Sequence, residues 1–214
     1  MLVLVLLIMI PHRIFSMGHE VTTKPEEWSK DLDYSADMHD YIHNKLTVFE
    51  NSIKSGFKDG KWYPHESLEG GRKTIAYGHK LKGDESFDKG LTEEDAKSLL
   101  VKDTLEAYRR AFNSYKNKYG LKEWNKLSNK AKIALTDLSF NIGNTKDYEE
   151  AFYKRDVKEI KKLINKRGYK PEGGGTNSLD SRNQSIIDNY ISTDDWSFES
   201  NAMKQWLMED NPLA

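Results

Sequence analysis

The sequence predicts an α+β fold, in which a small β-hairpin lobe accompanies a predominantly helical lobe. Apolar residues recur at helical spacing over residues 37–54, which predicts an amphipathic helix. This periodicity disappears between residues 56 and 81, where aromatic and β-branched residues flank the pair Gly70-Gly71 and predict a β-hairpin. Helical patterns with capping residues return from Thr92 onward. We therefore expect one helix, then the hairpin, then a helical bundle.

The first predicted helix has one apolar face, and Glu50 stands near its C-terminal end. The residues of that face are Met38, Tyr41, Ile42, Leu46, Phe49 and Ile53. The long helix after the hairpin has a similar face. Its residues are Ala96, Leu99, Leu100, Ala107, Tyr108, Ala111, Phe112 and Tyr115. Both faces predict burial against the rest of the helical lobe.

Capping residues mark the later helices, because a Ser, Thr or Asp side chain can accept a hydrogen bond from the first helical turn. The predicted N-caps are Thr92, Ser128 and Asp156, and the predicted ends are Gly143 and Gly168. The helix after Ser128 carries small and aliphatic inward residues, which is typical of the central helix of a bundle. Residues 169–178 should form a loop, followed by short helices over 181–191 and 201–208.

Three segments are expected along the chain: a leader over residues 1–36, a folded domain over 37–192 and a C-terminal helical extension over 193–214. The first ten residues are almost purely aliphatic, but a segment of this length is too short for a stable membrane span. They resemble the apolar part of a secretory signal, yet they lack its usual positive start. Met17 is an alternative start of the protein.

Composition excludes several classes of function. The net charge is −1, so the chain lacks the net positive charge that would favour binding to nucleic acid. The chain has no cysteine, which excludes disulfides and thiolate chemistry. His65 and His79 lack the helical spacing of zinc ligands, and we expect no metal. No cofactor is implied, and a monomer is expected.

The segment from Phe49 to Leu81 is similar to the bacteriophage-type lysozymes. That family has a Glu at the end of its first helix, an Asp nine positions later and a Thr shortly before a Gly-His pair. Glu50, Thr74, Gly78 and His79 match this pattern by type and order. Weaker similarity extends to the run 140–143 and to Arg182. The resemblance implies a lysozyme-like fold and a glycosidase that acts on bacterial peptidoglycan.

Glu50 is the predicted general acid, since a sugar alkoxide leaves poorly unless its oxygen is protonated. Burial at the end of an apolar helix disfavours the charged form of a carboxyl, and the partial negative charge of the helix C-terminus acts in the same direction. Thr74 is predicted to hold the attacking water on the opposite face of the sugar.

The sequence leaves open which residue takes the place of the family's Asp. Asp59 stands nine positions after Glu50, but 15 positions then separate it from Thr74, more than the family pattern has. Counting back from Thr74 favours His65 or Ser67, and Lys58-Asp59-Gly60 has the composition of a turn. His65 is our first candidate, as base or as ligand of the water, followed by Glu69 and then Asp59.

The remaining candidates concern binding of the glycan. Glu69, Tyr77, Asn141 and Arg182 are predicted to contact the substrate, although core packing is the commoner fate of a strand tyrosine. His79 is a structural residue in the family, paired with an acidic side chain, and receives no catalytic role.

The function expected from these residues is hydrolysis of the β-1,4 bond between N-acetylmuramic acid and N-acetylglucosamine. One alternative is a lytic transglycosylase on the same glycan, which leaves anhydro ends. Another is a non-catalytic wall-binding or virion structural module. The sequence leaves open whether the protein is phage-encoded and acts on a host wall, or is secreted.

Overall fold

The computed structural model describes residues 36–51, 54–67, 73–83, 85–168 and 179–191. They form two compact units. Unit 1 contains the described residues between 54 and 98, and unit 2 contains residues 36–51 together with those from 99 onward. Most of the predicted leader, the C-terminal extension over 193–214 and the helix expected over 201–208 lie outside the described residues.

Unit 1 contains two short antiparallel ladders. Strand β1 (Phe57–Lys58) pairs with β2 (Lys61–Trp62), and β3 (Thr74–Ile75) pairs with β4 (His79–Lys80). In the first turn, Asp59 and Gly60 both have positive φ, at 50° and 77°. Positive φ at both central residues is the pattern of a two-residue type I′ hairpin turn, which an Asp-Gly pair favours.

The two ladders were not predicted separately from the hairpin expected about Gly70-Gly71, and these two glycines lie outside the described residues. The segments on either side of them still pair, through an isolated antiparallel bridge between His65 and Thr74. A second bridge joins Trp62 to Leu91. The turn at Lys58-Asp59-Gly60 was predicted from composition, but the pairing of β1 with β2 on either side of it was not.

Trp62 is the centre of the unit 1 core. Its side chain is fully buried, and its ring lies 4.9 Å from that of Phe57 and 5.2 Å from that of Tyr77. Its indole Nε1 donates a hydrogen bond of 2.8 Å to Glu93, and the Tyr77 hydroxyl donates one of 2.5 Å to the same carboxylate. Burial acts to raise the pKa of Glu93, but these two donors hold it below its ordinary value.

Helices dominate unit 2. Helix α1 consists of α-helical turns over Ala36–Asp40 and Thr47–Asn51 with a π-helical segment, Tyr41–Leu46, between them. The helices that follow are α2 (Glu93–Tyr119, which begins in unit 1), α3 (Leu121–Asn125), α4 (Asn129–Ile142), α5 (Lys146–Lys154), α6 (Val157–Lys166) and α7 (Asp180–Tyr190). None of the described helices is long and apolar enough to span a membrane.

The predicted caps are confirmed. The backbone N–H groups of Asp95, Ala131 and Glu159 donate to the side chains of Thr92, Ser128 and Asp156, respectively. Gly143 ends α4 with a φ of 81°. Helices α3 and α5 were not predicted from the sequence. Helix α1 was predicted to reach residue 54, whereas Lys54 has a φ of 52° and cannot continue a right-handed helix.

Helix α4 is the central helix of unit 2, as predicted. Residues 131–139 are all buried, so the helix is covered on every side. It packs against α1 and α7, and α6 packs against α5 and α7. Complete burial places the polar members of this stretch in the core, including Asp137, which is 0% exposed. A buried charge requires partners of opposite charge.

The backbone near Gly56 gives a test of the unit 1 fold. Gly56 has a φ of 78°, and a Cβ added there would collide with the Tyr63 carbonyl oxygen and lie 2.6 Å from Cδ2 of His65. Gly60 has a φ of 77° with open space around it. We expect Gly60→Ala to lower the free energy of unfolding by about 1 kcal/mol through positive φ alone. Gly56→Ala should lower the free energy of unfolding by about 2 kcal/mol more than Gly60→Ala, because the added methyl group also collides with Tyr63 and His65.

Urea denaturation of the two variants measures this difference. Equal losses of stability would show that the close approach of Tyr63 and His65 to Gly56 does not hold in solution.

Candidate active site

Glu50 lies in the last turn of α1, where its side chain is 16% exposed. Arg182, in the first turn of α7, donates from Nη1 to Oε1 of Glu50. Two residues that the sequence analysis singled out separately are therefore ion-paired within unit 2. The guanidinium favours the ionised form of Glu50, whereas burial and the helix end favour the neutral form. The prediction for Glu50 rested on the last two effects alone.

Arg182 is fixed by a second carboxylate. Its Nε donates to Oδ1 of Asp137 at 2.8 Å, and its Nη2 lies 2.7 Å from the same oxygen. The guanidinium carbon also lies 5.6 Å from the centre of the Phe49 ring, on the residue next to Glu50. With a side chain only 5% exposed, Arg182 is enclosed by these partners. The predicted direct contact between Arg182 and a glycan thus conflicts with its burial.

Asp137 joins four elements of unit 2. Besides Arg182 of α7, it accepts a hydrogen bond of 2.5 Å from the Tyr41 hydroxyl of α1. Its other oxygen lies 2.7 Å from Nη1 of Arg167, the residue that follows α6. Arg167 in turn donates from Nε to the side chain of Asn183 on α7. This set, Tyr41, Glu50, Asp137, Arg167 and Arg182, is called the acid network below.

The protonation of the acid network follows from its charges. Burial acts to raise the pKa of Asp137, but Arg182 and Arg167 hold it below its ordinary value. Burial acts to lower the pKa of Arg182, but Asp137 and Glu50 raise it well above the ordinary value. Burial, followed by the charge of Asp137, also raises the pKa of Tyr41. Asp137 is therefore ionised and Tyr41 neutral at ordinary pH.

In unit 1, His65 and Thr74 form a directly opposed pair. Each backbone N–H donates to the other's carbonyl at 2.8 Å. Side chains that stand directly opposite in an antiparallel pair lie on the same face of the ladder. Thr74 is 5% exposed and His65 is half-buried. This pairing agrees with the sequence prediction, in which counting back from Thr74 led to His65 as the first candidate.

The His65 ring has distinct surroundings at its two nitrogen atoms. Nδ1 lies 3.0 Å from the carbonyl oxygen of Glu66. Because a carbonyl only accepts, this contact assigns the proton to Nδ1 and leaves a lone pair on Nε2 of the neutral ring. Nε2 is buried and has no hydrogen-bond partner among the described residues. The ring therefore offers an acceptor that the described part of unit 1 does not satisfy.

The other candidates for the position of the family's Asp differ from His65. Asp59 is exposed in the turn between β1 and β2, as predicted for a turn residue. Glu69 lies outside the described residues. Ser67 is half-buried. His65 therefore differs from Asp59 in its position, since His65 is paired with Thr74 and Asp59 is exposed in a turn.

The remaining binding candidates occupy different surroundings. Tyr77 is 8% exposed, with its ring on Trp62 and its hydroxyl on Glu93, contacts that favour core packing over a place in a groove. Asn141 is half-buried in the last turn of α4. His79 is buried, with Nε2 at 2.9 Å from Glu85, which fits the predicted structural pair.

No group of three or more metal-binding side chains occurs within the ranges that the structure describes. The sequence analysis gave no functional weight to Asp137 or Arg167. A signal for Asp137 existed, since an acidic residue interrupts the small and aliphatic stretch that predicted a central helix. Its partners stand 96 and 45 positions away in sequence, and no local pattern identifies them.

Comparison with known proteins gives a family and several similar solved structures. The phage lysozyme family matches residues 56–179. The muramidase domain of SpmX from Asticaccaulis excentricus is 20% identical, with a TM-score of 0.49, over 71% of this chain and 97% of that chain. No curated protein matches. The family match includes His65, Thr74 and Asp137, whereas Glu50 and Arg182 lie outside it.

The acid network predicts part of the pH dependence of stability. Burial acts to raise the pKa of Asp137, but its arginine partners lower it below the ordinary 3.8. The ion pairs therefore stabilise the fold fully above that ordinary value, and the contribution is lost as the pH falls through the lowered pKa. We expect the free energy of unfolding to decline below about pH 4, which urea denaturation at several pH values measures.

Asp137→Asn should lower the free energy of unfolding by about 3–5 kcal/mol at neutral pH, because two buried guanidinium groups lose their shared carboxylate. The part of the decline in stability at acid pH that comes from Asp137 should be absent in this variant. The matched control is Asp188→Asn, an exposed carboxylate on the same helix as Arg182. An acid decline of wild-type size in Asp137→Asn would contradict the role of these ion pairs.

Proposed function

Because the chain belongs to the phage lysozyme family, we propose that it hydrolyses the β-1,4 bond between N-acetylmuramic acid and N-acetylglucosamine in peptidoglycan. Membership supports a lysozyme-like, glycan-cleaving function, and the particular bond and residues are our proposal. The observation that carries it is the Glu50 carboxyl, which is held at the end of α1 by an arginine that is itself anchored on Asp137.

Glu50 is proposed as the general acid. It is mostly buried yet still partly exposed, as a group must be if it is to meet a substrate while keeping its proton. The single hydrogen bond from Arg182 engages Oε1. Proton transfer from Glu50 to the leaving oxygen of the glycosidic bond would then cleave the strand. Cleavage of that polymer weakens the bacterial wall, so a bacteriolytic role follows from the proposal.

His65 and Thr74 are proposed to hold the attacking water. The lone pair on Nε2 of His65 can accept a proton from water, which suits a base or a water ligand. The direct pairing of His65 with Thr74 supports a joint role for the two side chains. Asn141 and Glu69 stay proposed contacts of the glycan. Because its side chain is only 5% exposed, Arg182 is proposed to act through Glu50, without contact to the sugar.

Replacement of the proposed acid tests this function most directly. Glu50→Gln is nearly isosteric but cannot donate the proton, so we expect turnover to fall by about 10²–10⁴. Loss of turbidity of purified peptidoglycan measures it, and circular dichroism checks the fold. The matched control is Glu94→Gln, an exposed position on α2 that should keep wild-type activity.

More than a tenth of wild-type turnover in folded Glu50→Gln would remove Glu50 from the acid role. Analysis of the products gives a further outcome. Reducing ends support hydrolysis, whereas anhydro ends would replace our proposal by the transglycosylase alternative.

A second pair of variants tests the water-holding role. His65→Ala should lower turnover by about 10²-fold or more, because it removes the proposed acceptor. Asp59→Ala should be mild, since Asp59 is an exposed turn residue. Turnover and melting temperature are measured together for both. The opposite ranking, with Asp59 essential and His65 dispensable, would show that Asp59 takes the place of the family's Asp.

A further inference from the structure

Arg182 is bonded to two carboxylates that differ in how firmly they are held. It reaches Asp137 through Nε and Nη2, at 2.8 Å and 2.7 Å, but reaches Glu50 through Nη1 alone. The Asp137 side chain is 0% exposed, and the Glu50 side chain is 16% exposed. Asp137 therefore fixes the guanidinium, and Glu50 is the second partner of a cation that is already paired.

This arrangement bears on how Glu50 can carry a proton. A guanidinium without another partner would strongly favour the ionised form of a neighbouring carboxyl. A carboxylate bonded to the same guanidinium offsets part of that effect, because its negative charge acts on Glu50 in the opposite sense. Low accessibility makes both effects larger than they would be in water.

We propose that Asp137 is a positioning residue for catalysis, which holds Arg182 and offsets its charge so that Glu50 can keep its proton. The inference rests on the proposed function, because it assigns Asp137 a role that acts through the proposed acid. In this proposal Asp137 touches neither substrate nor water. Its contribution lies in the geometry and charge that Arg182 presents to Glu50.

The other groups of the acid network determine the direction of each expected change. On α1, the neutral Tyr41 donates its hydroxyl to Asp137. On α7, Arg182 is the cation next to Glu50. After α6, Arg167 pairs with the second oxygen of Asp137, so Arg167 and Arg182 share the negative charge of Asp137. Loss of Asp137 should therefore stabilise the ionised form of Glu50, and loss of the Arg167 charge should stabilise its neutral form.

A ¹³C NMR titration of the Glu50 carboxyl in the full chain tests the proposal without an activity assay. The resonance is assigned by its absence in Glu50→Gln. We expect Asp137→Asn to move the titration midpoint to lower pH by about one unit or more. Arg167→Gln should move it to higher pH. Arg167→Lys keeps the charge and is the matched control, in which the midpoint should stay near that of the wild type.

Kinetics on purified peptidoglycan give the second readout. The acid must be protonated, so the basic limb of the kcat/KM profile should move to lower pH in Asp137→Asn. A shift of one unit corresponds to about a tenfold loss of activity above the limb, with recovery on its acidic side. A residue that only supports the fold would lower activity at every pH by a similar factor.

Midpoints that stay unchanged, or that move in the same direction in folded Asp137→Asn and Arg167→Gln, would overturn the proposal. If Asp137→Asn does not fold, the comparison of Arg167→Gln with Arg167→Lys decides, because only the first removes a charge. Failure of the proposed function has a different signature: Glu50→Gln then stays active, while the titration still reports whether Asp137 acts on Glu50.

Discussion

The buried ion pair between Asp137 and Arg182 is the interaction on which the rest of unit 2 depends. Removing a carboxylate from water costs several kcal/mol, and the cost is offset only when other groups satisfy its oxygens. Asp137 accepts hydrogen bonds from Arg182 and Tyr41 on one oxygen and forms an ion pair with Arg167 through the other, and these partners come from three other elements. The same contacts that make the buried charge tolerable therefore fix α1, α6 and α7 around α4.

Glu50 benefits from this constraint. It stands at the end of α1, and its carboxyl is bound to an arginine whose position is set from the other side by a fully buried partner. A flexible surface arginine would not give the proposed acid a defined geometry. Pre-organisation of this kind is what catalytic groups need, since a group that must first be ordered loses part of its advantage.

Unit 1 is built on a similar principle at a smaller scale. The Glu93 carboxylate accepts hydrogen bonds from Trp62 and Tyr77, so one acidic group at the start of α2 orders two buried aromatic side chains. The ladders themselves are only two residues long. Short ladders contribute little alone, and the aromatic core with its acidic anchor holds the segment that carries His65 and Thr74.

The sequence by itself determined the α+β class, the capped ends of α2, α4 and α6, and the central place of α4, because periodicity and capping act between near neighbours. It also singled out Glu50 and Thr74. Only the tertiary structure decided which residues complete the acid network, since Arg182 and Glu50 stand 132 positions apart. The partners of a buried charge are chosen by packing in three dimensions, and local sequence patterns carry no record of that choice.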